Sequence, residues 1–70
     1  MNSTEIMRVQ TYLREKFSND QINLNTKGKI SNSVEVNLGD EFIGVCYRDE
    51  DDGEVSYAFH MAIIDLDLPD

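Results

Sequence analysis

Apolar positions recur along the chain with two different periods. Ile6, Val9, Leu13 and Phe17 follow one another at spacings of 3, 4 and 4, which lines them along one side of an α-helix. Asn2 supplies an N-cap with Glu5 at the capping-box position, and Ser18-Asn19-Asp20 ends the run, so the spacing predicts an amphipathic helix over residues 3–17. Beyond it the period falls to 2. Ile22 and Leu24 alternate with Asn23 and Asn25, and Lys27-Gly28-Lys29 turns the chain. Val34, Val36 and Leu38 alternate with Ser33, Glu35 and Asn37 in a second strand. Gly39-Asp40 reads as a two-residue hairpin turn, since glycine accepts the positive φ such turns require. Residues 41–48 and 54–64 then read as third and fourth strands.

The expected fold is α+β: an N-terminal helix packed on one face of a four-stranded antiparallel β-meander, in the order α-β-β-β-β. A turn at Gly39-Asp40 sets Leu38 opposite Glu41, Val36 opposite Ile43 and Val34 opposite Val45. A loop at 49–53 sets Arg48 opposite Glu54, Tyr47 opposite Val55, Val45 opposite Tyr57 and Ile43 opposite Phe59. Directly opposed residues share a face. The face expected under the helix therefore collects Val34, Val36, Leu38, Ile43, Val45, Tyr47, Val55, Tyr57, Phe59, Met61 and Ile63. The other face would carry Phe42, Gly44, Cys46, Ala58, His60, Ala62 and Ile64. Its centre is small and flat rather than charged, which suits packing against a second copy and makes a homodimer the expected assembly.

Size strengthens that expectation. Seventy residues make a single domain over 1–70, with residues 64–70 an acidic tail able to fray. So short a chain buries only about 60% of its unfolded surface, and its core supplies no more than ~3–5 kcal/mol. Cys46 is the only cysteine, so no disulfide within the chain can help. A single cysteine with no signal-peptide pattern fits a reducing cytoplasm. No apolar run approaches the ~20 residues needed to span a bilayer.

Charge is divided unevenly. Residues 1–39 carry four acids against five bases, whereas residues 40–70 carry ten acids against Arg48 alone. A net charge of −8 opposes the phosphate neutralisation that nucleic-acid binding needs, and it disfavours an anionic membrane. A basic protein surface is the better-matched partner.

The densest acidic stretch, Asp49-Glu50-Asp51-Asp52-Gly53-Glu54, raises the question of a cation. Asp49, Asp51, Asp52 and Glu54 are the candidate oxygen donors for a calcium-type ion. The EF-hand template fails, because placing Gly53 at its sixth position puts Arg48 at its first, and a strand follows rather than a helix. Asp-Gly is a preferred turn pair, and solvated acids keep a strand edge from pairing. A solvated turn is the simpler account, with weak divalent-cation binding the alternative.

Enzymatic chemistry finds no foothold. One histidine, His60, and one cysteine fall short of a structural zinc set. Ser56 has no neighbouring base and no nucleophile-elbow motif. The glycines at 28, 39, 44 and 53 form no phosphate loop. With no catalytic residues and no cofactor implied, the expected class is a non-enzymatic interaction module that self-associates.

The stretch G-D-E-F-I-G-V-C-Y-R-D-E-D-D-G-E-V-S-Y-A-F-H-M-A-I-I-D-L-D-L over residues 39–68, together with Q-T-Y-L-R over 10–14, resembles a small alphaproteobacterial family of domains of unknown function. The resemblance covers nearly the whole chain and implies a small bacterial cytosolic protein. It brings no activity, cofactor or site residue, and Cys46 and His60 stand outside its pattern.

Overall fold

Asn2 begins the first element as the sequence leads one to expect. A computed structural model describes residues 1–25 and 32–70, and in it helix α1 spans Ser3–Phe17. The Asn2 Oδ1 accepts from the Glu5 N–H at 2.8 Å, while the Glu5 Oε1 accepts from the Asn2 N–H at 3.2 Å, closing the capping box. Ser18 ends the helix at φ 50°, and the Asn19 N–H reaches back to the Arg14 carbonyl at 2.9 Å. Val9 and Leu13 are buried and Ile6 packs beside them, but Phe17 on the last turn is exposed.

Four antiparallel strands follow in chain order: β1 (Ile22–Asn25), β2 (Ser33–Leu38), β3 (Glu41–Asp51) and β4 (Glu54–His60). The α-β-β-β-β architecture is therefore as expected. The Lys27-Gly28-Lys29 turn lies outside the described residues. A short 3-10 turn, η1 (Asp65–Asp67), closes the chain.

Strand register departs from the expectation in both hairpins. Leu38 does oppose Glu41 and Asn37 opposes Phe42, but a bulge then leaves Ile43 without a partner. Beyond it Val36 pairs with Gly44 and Val34 with Cys46. In the second hairpin the expected five-residue loop is a two-residue turn. Asp52 (φ 51°) and Gly53 (φ 81°) both take positive φ, as in the primed turns that match strand twist. The strand β3 therefore runs on to Asp51, which opposes Glu54, and Arg48 faces Tyr57, Cys46 faces Phe59 and Val45 faces His60. Each displacement is by an odd number of residues, so the faces exchange.

The helix-side face consequently carries Val34, Val36, Gly44, Cys46, Tyr57 and Phe59, while Val45, Tyr47, Ala58 and His60 lie on the outer one. Gly44 has a steric reason to be glycine. A Cβ there would stand 2.3 Å from the His60 carbonyl oxygen and 2.7 Å from the Phe59 ring. The core consists of Met1, Val9, Leu13, Ile22, Val34, Val36 and Cys46, with Val36 and Cys46 almost fully enclosed. Met61 and Ile63, expected in it, are exposed beyond the end of β4.

The helix does not sit centrally. It packs against β1, where the Gln10 Oε1 accepts from the Leu24 N–H at 3.0 Å and the Arg14 Nε donates to the Ile22 carbonyl at 2.8 Å. Side chains of α1 thus take up backbone groups of one edge strand. At the other edge, no strand among the described residues pairs with the outer side of β4.

Candidate interaction surface

The exchanged faces divide the interface set expected from sequence. Gly44 and Cys46 are buried on the helix side of the sheet, not on the outer face where they were expected. Burial also pushes the Cys46 thiol up, which keeps it protonated and unreactive. Phe42, Ala58, His60, Ala62 and Ile64 are exposed, with Phe42 and Ile64 more than half open to solvent.

Sequence reasoning set Tyr47 in the core, and the structure returns it to the outer surface, where its ring meets His60 edge-on at 5.2 Å. Phe42, Val45, Tyr47, His60, Ala62 and Ile64 line one hollow of about 950 Å³ on that side. The signal that could have revealed Tyr47 was the Asp52-Gly53 pair itself, which fixes register once read as a two-residue turn.

A second feature escaped the sequence altogether. Glu5, already in the capping box, also receives a hydrogen bond from the Tyr57 hydroxyl and one from the Arg48 Nε, both at 2.7 Å. These contacts span 52 and 43 residues of chain, so only the correct β3–β4 pairing brings them together. The Tyr57 hydroxyl, the Asn2 amide and the Arg48 guanidinium hold the Glu5 carboxyl at about 2, well below its ordinary value. The same contact with Glu5 raises both Tyr57 and Arg48. Arg48 bridges onward to Glu50 at 3.0 Å. The cluster clamps the helix N-terminus to the β3–β4 hairpin.

The acidic hairpin is built as paired strand closed by a two-residue turn. Glu50 turns to Arg48, Asp52 occupies the turn, and Asp51 stands directly opposite Glu54. Among the described residues no three His, Cys, Asp or Glu side chains come together as a ligand set. No helix among them is long and apolar enough to cross a membrane.

On the helix side a groove of about 380 Å³ runs between α1 and β4. It exists because α1 lies over β1, leaving Tyr57 and Phe59 only partly covered.

A family model described as "Protein of unknown function (DUF3126)" matches residues 5–67. No curated protein and no solved structure matches the chain.

Proposed function

This chain belongs to that family of unknown function, and we propose that it works as a non-enzymatic protein-interaction module that self-associates through the open β4 side of its sheet. Area carries the reading. A folded monomer of 8.0 kDa exposes about 4,450 Å², and this chain exposes 5617 Å². The surplus exceeds the ~800 Å² that each partner contributes to a standard interface. Among the described residues twelve large apolar side chains are exposed against seven apolar residues in the core, so folding alone leaves more of them exposed than buried.

The exposed groups are concentrated. Val55, Tyr57, Met61, Ile63, Ile64, Leu66 and Leu68 follow one another from β4 into the C-terminal segment, beside an edge that pairs with no strand among the described residues. An uncovered edge strand next to apolar side chains is a pairing surface. Residues 49–54 form the acidic rim of this surface and suit a basic protein partner. The lone buried thiol and the net charge of −8 fit a cytoplasmic setting away from nucleic acid and anionic membrane.

Sedimentation equilibrium across the micromolar range tests the proposal. The expected mass rises towards twice the 8.0 kDa of the chain. Phe42→Glu combined with Ile64→Glu is expected to hold it at the monomer while its circular dichroism stays that of the unaltered fold. A mass of 8.0 kDa at every concentration of the unaltered chain overturns the reading.

A further inference from the structure

We infer that the groove between α1 and β4 receives the C-terminal segment of a second copy, with Leu66 seated between Tyr12 and Tyr57 and an adjoining carboxylate, Asp65 or Asp67, paired with Arg8. The inference rests on the self-association proposed above and names the site at which it occurs.

The groove specifies its occupant. Its floor is apolar, formed by Leu13, Cys46 and Phe59, so an apolar side chain seated there would extend the core. Tyr12 and Tyr57 form its walls, and Tyr12 is 59% exposed. Arg8 lies on its rim and makes no ion pair among the described residues, in a chain whose net charge is −8. An occupant matched to it carries a bulky apolar group beside a carboxylate.

The C-terminal segment has that composition with a carboxylate on both sides of the apolar group. Leu66 is 92% exposed, the most open of the described large apolar side chains, and it stands between Asp65 and Asp67 on the 3-10 turn. With about three residues per turn, successive side chains of such a turn point roughly 120° apart. Leu66 therefore projects alone with a carboxylate on either flank. One flank meets Arg8 and the other stays in water.

The segment is better placed for another copy than for its own. Residues 61–64 and Asp67 line the hollow on the outer side of the sheet, so docking at home would require the chain to cross the β4 edge. A second copy approaching that bare edge needs no such detour, and two identical molecules can exchange the contact reciprocally across a two-fold axis.

Charge reversal with mixing tests this on the full chain. One variant carries Arg8→Glu; the other carries Asp65→Arg with Asp67→Arg. Each alone opposes like charges at the groove and is expected to weaken self-association about tenfold or more, a difference of about 1.4 kcal/mol. An equimolar mixture restores opposite charge at both grooves, and sedimentation is expected to recover a dimer containing one of each. Leu66→Ala is expected to weaken the unaltered pairing about as much. A dimer indifferent to all these substitutions, or variants that mixing fails to rescue, overturns the groove assignment while leaving self-association standing. Loss of thermal stability on Leu66→Ala at a dilution where the unaltered chain is also monomeric would show the segment docking on its own copy, which also overturns it. An unaltered chain that stays monomeric removes both readings.

Discussion

Glu5 takes part in three interactions at once, closing the capping box, accepting from Tyr57 and pairing with Arg48. Its carboxyl is held at about 2, below the unfolded value of 4.5. The stability it contributes is thus fully present above the unfolded value and is lost as pH falls through about 2. A carbon-detected NMR titration is expected to give a Glu5 midpoint near 2, and Tyr57→Phe to move it up towards the ordinary value. A midpoint at the ordinary value in the unaltered chain would mean the clamp is not formed. The first of these roles was legible, because capping depends on residues three apart. The other two were not, because Arg48 and Tyr57 reach Glu5 only through strand pairing. Gly44 belongs to the same scale. Gly44→Ala places a methyl against the His60 carbonyl and is expected to cost about 1–3 kcal/mol in a denaturant melt.

Among the elements, α1 was the clearest in the sequence, since stripe, cap and stop agreed on one span. Strand identity was legible as well; strand register was not. In E-F-I-G-V-C-Y-R, Phe42, Ile43, Val45, Cys46 and Tyr47 put apolar groups on both parities, so a period of 2 cannot say which set is inside. The bulge at Ile43 and the turn at Asp52-Gly53 decide it, and both are local backbone events. Gly53 has open space around the position of a Cβ but sits at φ 81°, so Gly53→Ala tests backbone strain alone. An expected loss of roughly 1–2 kcal/mol follows; a neutral result would argue for the longer loop. Asp51 and Glu54 face each other as like charges across this hairpin. Glu54→Lys is expected to stabilise it by about 0.2–1 kcal/mol, read from the same melts.

At the scale of the molecule, one edge of the sheet is occupied by α1 side chains and the other pairs with no strand among the described residues. Gln10 and Arg14 serve β1, whereas β4 and the apolar segment after it remain open. Composition announced a small core and a partner to complete it. Of the residues expected on the outer face, Phe42, Ala58, His60, Ala62 and Ile64 are exposed, but Gly44 and Cys46 went under the helix when the register moved. Hydrogen–deuterium exchange of residues 54–66, followed in concentrated and in dilute solution, measures the covering of that edge most directly. If a second copy lies over β4 and its continuation, their amides exchange more slowly as concentration rises while those of β1 keep a constant rate. Identical exchange along 54–66 at every concentration would contradict the account.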